Sequence, residues 1–434
     1  MDIPALYRLF KKSSGITTDS RRCQAGNLFF ALKGDSFNGN AFAARALEAG
    51  CSYAVVDEAA YCVPGDDRYC LVDDALAALQ QLARFHRRQL NTPLLAITGT
   101  NGKTTTKELI AAVLGQRQQV LYTQGNLNNQ IGVPLTLLRL GQEHQIGIIE
   151  MGASHVGDIR ELVGIAEPNY GLITNVGRAH LEGFGSFEGV LRAKGELYDY
   201  LRERDRATIF LHYDDAQLRA MAHHLNQIFY GSQPNLYVNG TAGDEHAPFL
   251  TVHWKAGKNG AVHTVRTRLI GSYNLPNVLA AIAVGRFFGL EAAHICAALE
   301  AYQPQNNRSQ WVTTARNSLI IDAYNANPTS MQAALASFRR LQTPLPKMVI
   351  LGDMLELGEA SAAEHQAVVD YLDECAFDRV KLVGACFGQT RHRFPVYPDS
   401  ASLLEDLLAE PPSGKIILIK GSNGMKLSGL SEHL

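Results

Sequence analysis

At 434 residues the chain exceeds one ordinary hydrophobic core, so two or three domains are expected. With 46% hydrophobic and 19% charged residues it reads as a soluble globular protein, and a formal net charge of -2 gives no broad electrostatic reason to bind nucleic acid or an anionic membrane. Seven cysteines, at 23, 51, 62, 70, 296, 375 and 386, contain no Cys-x-x-Cys; they argue against a disulfide framework and a zinc site and suit a reducing cytoplasm. Met1-Asp2-Ile3-Pro4 opens no charged-then-apolar signal pattern, and no uninterrupted apolar run approaches the ~18 residues that a membrane span needs.

Residues 1–90 alternate strand-like and helix-like pieces: a strand over 27–32, a helix over 41–49 stopped by Gly50, a strand over 53–57 and a helix over 74–90. A small α/β domain follows from that alternation. Its turns, residues 17–21 and 33–40, are dense in hydrogen-bonding groups, and each taken alone reads as a capping turn. Asn91-Thr92-Pro93 forms a short linker.

Residues 94–98 are a short apolar run closed by Gly99, which reads as a buried strand, and 108–114 reads as a helix. Between them lies Gly99-Thr100-Asn101-Gly102-Lys103-Thr104-Thr105. A Gly-x-x-Gly-Lys-Thr turn from strand to helix is a phosphate cradle: its glycines let backbone amides curl around the anion, Lys103 neutralises charge, and the Thr104 hydroxyl reaches a magnesium ion. The full Walker pattern wants a further glycine where Ile97 stands.

Strands and helices continue to alternate, which predicts a mostly parallel sheet covered by helices. Strands over 146–149 and 170–176 release Glu150 and the loop Gly177-Arg178-Ala179-His180 at their carboxyl ends, where ligands collect in open parallel sheets. Glu150 and His180 are candidate magnesium ligands, although oxygen suits that ion better than an imidazole and His180 also reads as an ordinary loop histidine. In the helix predicted over 187–201, Lys194 falls on the apolar stripe of Val190, Leu191, Leu197, Tyr198 and Leu201. A lysine on an inward face snorkels out, or it needs an anion, a lowered pKa or a chemical modification.

Residues 226–272 read as strands with polar turns, followed by an alanine-rich helix to about 288 that Asn274 and Asn277 would cap, and by a helix over 291–302. Beyond Gln303-Pro304 the pattern alternates again. Strands over 318–321, 348–351 and 415–419 lead into residues 322–328, 352–358 and 420–422, and 379–383 is a further strand. No Gly-x-Gly-x-x-Gly opens a helix there, so a nicotinamide site is not supported.

Together these stretches, in order, resemble the Mur ligase family, ATP-dependent amide-forming enzymes of peptidoglycan synthesis. The resemblance runs through residues 19–21, 29–34, 99–106, 125–129, 179–186, 193–196, 322–328, 352–358 and 420–422. It implies an α/β chain of three domains: a small α/β N-terminal domain for the UDP-sugar peptide over 1–90, a central P-loop parallel-sheet ATPase domain over 91–303, and a C-terminal Rossmann-like domain over 304–434. The first domain, the 125–129 loop and the 352–358 segment point to the member that joins D-Ala-D-Ala to UDP-N-acetylmuramoyl-tripeptide through an acyl phosphate. The family further implies ATP and Mg2+ as cofactors, a lysine carbamylated at Lys194, metal ligation by Thr104, Glu150, His180 and Lys194, and Arg308 reaching the γ-phosphate. Asn274, Asn277, Asp322, Tyr324, Asn325, Asn327 and Pro328 would surround adenine and ribose, and Ser20, Arg21, Gly34, Asn38, Asn126, Asn128 and Asn129 the UDP-sugar path. It implies a cytoplasmic monomer. Departures from the family pattern are Tyr273 where many relatives carry His, residues 306–309 in place of the commoner Pro-Gly-Arg, and an early end after residue 422. Another Mur ligase, a folylpolyglutamate synthetase-like enzyme, and a non-catalytic ATP-dependent switch stand as rival readings.

Overall fold

The computed structural model describes residues 1–305 and 307–434, which divide into two compact units. Residues 1–96, 118–152 and 157–170 form the first; 97–117, 153–156 and 171–434 form the second. No helix among the described residues is long and apolar enough to cross a membrane.

In the first unit four short strands, Gly15–Thr17, Asn27–Phe30, Tyr53–Val56 and Tyr69–Leu71, pair in parallel in that order. All residues of Asn27–Phe30 are buried, and Phe29 packs with Ala43, Ala46, Leu47 and Val56. The helix expected over 41–49 is a 3-10 turn, Gly39–Phe42, followed by Ala43–Glu48, because Asn38 caps the tighter turn by accepting from the Asn40 N–H at 3.0 Å. Asp74 caps Ala75–Arg88 in the same manner, accepting from Ala77. Near the end of that helix, buried Arg87 donates to the carbonyls of Ala166, Leu90 and Glu167 and to the Asn169 side chain. A second parallel pair, Val120–Tyr122 with Ile146–Glu150, ends at Glu150.

The strand Leu94–Thr98 is fully buried; residues 94–96 belong to the first unit and 97–98 to the second. From it the second unit's sheet continues through Tyr170–Ile173, Thr208–His212, Asn226–Gly231, Val238–Ala242, Phe249–Ala256 and His263–Ile270. Pairing is parallel from Thr208–His212 to Val238–Ala242 and antiparallel beyond. The helix Leu275–Phe287 buries every residue from 277 to 285, as expected of a helix that is apolar all round.

A six-stranded sheet completes the second unit, in the order Gln310–Thr313, Ser318–Asp322, Ile416–Lys420, Lys347–Gly352, Arg379–Val383, Val396–Tyr397. Only its first pair is antiparallel. Asp322 and Leu351 both register against Lys420, so three parallel strands end side by side. The chain closes as a 3-10 segment, Leu427–His433, and Leu427, Leu430 and Leu434 enter the core beneath this sheet.

Candidate active site

The helix predicted from 108 begins at Lys103, with Gly102 as its N-cap at φ +79. Threonines 104–106 obscure the start in sequence, because β-branched residues lower helix propensity. Gly99 sits at φ +138, and a Cβ there would lie 2.0 Å from Thr174 Oγ1. At Gly102 a Cβ would lie 2.6 Å from Asn277 Oδ1. Both glycines are therefore required by backbone conformation and by space.

The loop is strapped to the end of Tyr170–Ile173. Thr100 N–H donates to Asn175 O at 3.0 Å, and Asn101 N–H to Asn175 Oδ1 at 3.0 Å. Asn101 O accepts from Thr174 Oγ1 at 2.7 Å and from Asn175 Nδ2 at 2.9 Å. Lys103 folds over the loop, its Nζ donating to Gly99 O at 2.7 Å and Thr100 O at 3.0 Å. A preformed loop with a cation lying across it is what an incoming phosphate chain needs. Thr104 is buried at the first turn of the helix.

Asn274 stands at the N-cap position of Leu275–Phe287 without a side-chain cap hydrogen bond, and Asn277 lies inside the helix, so neither acts as the expected cap. Instead Asn274 Nδ2 donates to Ile270 O at 2.8 Å, its Oδ1 accepts from Asn277 Nδ2 at 2.9 Å, and Asn277 Oδ1 accepts from Thr106 Oγ1 at 3.1 Å. Both are buried, and Asn277 lies against the phosphate loop, its Oδ1 2.6 Å from where a Cβ at Gly102 would stand. Asn327 N-caps Pro328–Arg340 in a capping box with Ser330 and also donates to Asn101 Oδ1 at 2.7 Å. Asp322 accepts from buried Lys420 Nζ at 2.6 Å, and Asn325 holds the Ala326 N–H at 2.8 Å. The Arg308 guanidinium lies 3.8 Å from the Tyr324 ring centroid, and its buried Nε meets no partner among the described residues. Tyr273, the departure beside Asn274, shares a 3.0 Å hydrogen bond with Ser309; Asn306 of the neighbouring motif lies outside the described residues.

His180 adopts a left-handed backbone at φ +51, just before Leu181–Phe184. Its Nδ1 pairs with the Glu356 carboxylate, from the loop after Lys347–Gly352. Burial holds the His180 pKa below the ordinary imidazole value, and Lys103 and Lys194 add to that against the opposing pull of Glu356. Lys194 is 2% exposed, and its Nζ stands 5.4 Å from the Phe184 ring centroid. The inward lysine predicted from helical spacing is thus inward, on the buried face of Phe187–Arg202. A neutral imidazole is a competent metal donor, whereas an unmodified ammonium at Lys194 would repel a cation. A carbamate at Lys194 would reverse that charge and offer the oxygen that magnesium prefers to the His180 nitrogen.

In the first unit, Glu150 is buried, accepts from Asn128 Nδ2 at 2.9 Å and donates its N–H to Thr123 Oγ1 at 3.0 Å. Asn128 N–H in turn donates to Asn126 O at 2.7 Å. Asn129 Oδ1 holds the N–H groups of Ile131 and Gly132, and Asn38 donates to Glu58 at 3.0 Å. Ser20 begins a 3-10 turn capped by Asp19, which pairs with exposed Arg21 at 2.9 Å; Gly34 lies in a two-residue strand facing Phe37.

Sequence reasoning missed Glu356, Thr174, Asn175 and the supports of the 352–358 loop. Asp353 accepts from the N–H groups of Cys386 at 2.9 Å and Phe387 at 3.0 Å, and His365 Nε2 accepts from Met354 N–H at 3.0 Å. Asp353, His365 and Cys386 bring ligand atoms within 4.8 Å of one another, but those hydrogen bonds occupy the carboxylate and the ring, so the trio braces the loop.

Three family models match the chain: the Mur ligase middle domain over residues 97–285, the Mur ligase, glutamate ligase domain over 307–423, and the Mur ligase family, catalytic domain over 12–87. The UDP-N-acetylmuramoyl-tripeptide--D-alanyl-D-alanine ligase of Bacillus subtilis is 35% identical, covering 97% of this chain and 93% of its own. The Escherichia coli enzyme of that name is 36% identical over 85% of this chain and 81% of its own. A crystal structure of MurF from Acinetobacter baumannii superposes with a TM-score of 0.85 at 30% identity, covering 99% of this chain and 97% of that one. MurF ligase from Thermotoga maritima in complex with ADP gives 0.85 at 26% identity, covering 98% and 97%. A folylpolyglutamate synthetase from L. casei, at 16% identity and a TM-score of 0.62, covers 82% of this chain and shares the fold alone. The chain belongs to the Mur ligase family.

Proposed function

We propose that this enzyme is the ATP-dependent ligase that joins D-Ala-D-Ala to UDP-N-acetylmuramoyl-tripeptide, giving the pentapeptide precursor of peptidoglycan. The observation that carries the reading is the 35% identity, over 97% of the chain, to the Bacillus subtilis ligase of that name. In the reaction the tripeptide carboxylate attacks the γ-phosphorus of ATP and ADP leaves, forming an acyl phosphate. The dipeptide amine then attacks the acyl carbon, phosphate departs with the C–O electron pair, and the amine loses a proton. ATP is needed because a carboxylate oxygen is a poor leaving group and phosphate is a good one.

Residue roles follow from the family resemblance and suit the chemistry. Lys103 and the 99–105 amides would hold the phosphates, since charge neutralisation and positioning dominate phosphoryl transfer. Arg308 would reach the γ-phosphate. Asn274, Asn277, Asp322, Tyr324, Asn325, Asn327 and Pro328 would bound adenine and ribose. Ser20, Arg21, Gly34, Asn38, Asn126, Asn128 and Asn129 would line the UDP-sugar path. Thr104, Glu150, His180 and Lys194 are the proposed magnesium ligands, Lys194 after its neutral amine adds carbon dioxide to give a carbamate and a proton. Bound magnesium would neutralise charge developing on the transferring phosphoryl group. The proposed domains are 1–90, 91–303 and 304–434, and the protein is proposed to act as a monomer in the cytoplasm.

The test is to supply MgATP and UDP-N-acetylmuramoyl-tripeptide with and without D-Ala-D-Ala and to weigh the product. Pentapeptide formed only with the dipeptide, in step with phosphate release, is expected. ATP binding without product would leave the non-catalytic switch standing.

A further inference from the structure

We infer that Tyr273 and Ser309 act as a pair that positions Arg308 for the phosphate chain of ATP. This rests on the proposed ligase activity and the proposed role of Arg308, and deepens both by naming what holds the arginine in place. The sequence departs from the family pattern at Tyr273 and again over residues 306–309, and the fold brings the two departures together: the Tyr273 hydroxyl and Ser309 Oγ share a 3.0 Å hydrogen bond. Both ends of that bond are enclosed. Ser309 is 8% exposed, and the Tyr273 ring lies against Gly271, where a Cβ would stand 2.3 Å from its Cε1. Burial, with the charge of Asp322 added, holds the Tyr273 pKa above the ordinary phenol value, so the group bonds as a neutral hydroxyl.

Ser309 is pinned through its backbone as well. Its N–H donates to Asp322 Oδ1 at 3.2 Å, while Asp322 Oδ2 accepts from buried Lys420 Nζ at 2.6 Å. The residue next to Arg308 is therefore tied both to the turn before Leu275–Phe287 and to the end of Ser318–Asp322. The Arg308 guanidinium itself rests on the Tyr324 ring at 3.8 Å. Stacking leaves the in-plane N–H groups for an anion, and the pinned backbone sets how far they reach. Asn307 at φ +56 and Ser309 at φ +47 flank the arginine in left-handed backbone. Asparagine visits that region readily, which suits the place of glycine in Pro-Gly-Arg; serine does so less, and the Tyr273 and Asp322 hydrogen bonds hold it there.

The experiment is a mutant cycle, read in kcat/KM for ATP with the other substrates saturating and in ATP affinity by titration. Tyr273→Phe and Ser309→Ala each remove one hydroxyl and keep the surrounding shape. Each is expected to lower kcat/KM about fivefold, the effect of one buried neutral hydrogen bond, and the double variant to fall within about twofold of the worse single. Arg308→Ala separates positioning from mere support: in that background Tyr273→Phe is expected to change either readout by less than about twofold, because the group it acts through is gone. The KM for the tripeptide should stay within about twofold throughout. A full further loss in the Arg308→Ala background would mean that Tyr273 serves only the fold, additive singles that the two do not act as a pair, and unchanged singles that the bond positions nothing; each overturns the inference. Full activity in Arg308→Ala would refute the role of that arginine and the pair's with it. A wild type that binds ATP but makes no pentapeptide would instead refute the ligase reading, and the cycle in ATP affinity would still decide the pair.

Discussion

Residues 99–106 and the group around His180 lie in one compact unit but are assembled differently. The phosphate loop takes its working parts from consecutive positions, and its neighbours, Thr174, Asn175 and Asn277, lock a shape that the glycines already permit. The His180 group draws Lys194 from a helix and Glu356 from a loop beyond a strand of the six-stranded sheet. Local devices tolerate loss of a distant partner; composite ones depend on every element that carries a piece.

The largest expected effects separate the two regions by rescue. Lys103→Ala and Lys194→Ala should each lower turnover by about a thousandfold, in the range found for removal of a group that stabilises transition-state charge. Bicarbonate with a short carboxylic acid should partly restore Lys194→Ala, because a free carboxylate can replace the carbamate, and should do nothing for Lys103→Ala. Full activity in Lys194→Ala would contradict the carbamate role.

Smaller effects sharpen the contrast. Gly99→Ala sets a methyl group against Thr174 Oγ1 and should destabilise the protein by about 1–3 kcal/mol, read by thermal unfolding, with loss of the stabilisation that ATP gives the wild type. Asn277→Ala leaves Thr106 and Asn274 without their shared partner, for about 1–2 kcal/mol and a raised KM for ATP.

The smallest effect is a control in the first unit. Burial raises the Glu167 pKa, but Arg88 and Arg84 more than offset it, so the folded value lies below the ordinary 4.5. Its contribution is then present above the unfolded-state pKa and is lost as pH falls through the folded one. Glu167→Gln should therefore flatten the acid side of the stability curve by under about 1 kcal/mol, with ATP turnover at neutral pH unchanged.

What was legible in the sequence follows the same division. Gly99, Gly102 and Lys103 are readable because strand, turn and helix chemistry is local, and Lys194 because helical spacing alone sets it inward. Asn274 and Asn277 were misread as caps, since nothing in the local pattern reveals that Thr106 waits opposite. The pairing of Glu356 with His180 is not legible in the sequence, because it depends on a left-handed backbone in a loop held by Asp353, His365 and Ser422, partners scattered over residues 353–422. Residues 427–433 form a 3-10 segment where a helix was expected, and the Leu434 carbonyl accepts from Asn317 Nδ2 at 2.6 Å.

The proposed acyl phosphate would draw on both regions in one reaction, and isotope transfer tests it directly. With the terminal tripeptide carboxylate labelled with oxygen-18 at both oxygens, one labelled oxygen should appear in each phosphate released and the other should remain in the new amide. Unlabelled phosphate, released while pentapeptide accumulates, would contradict the account.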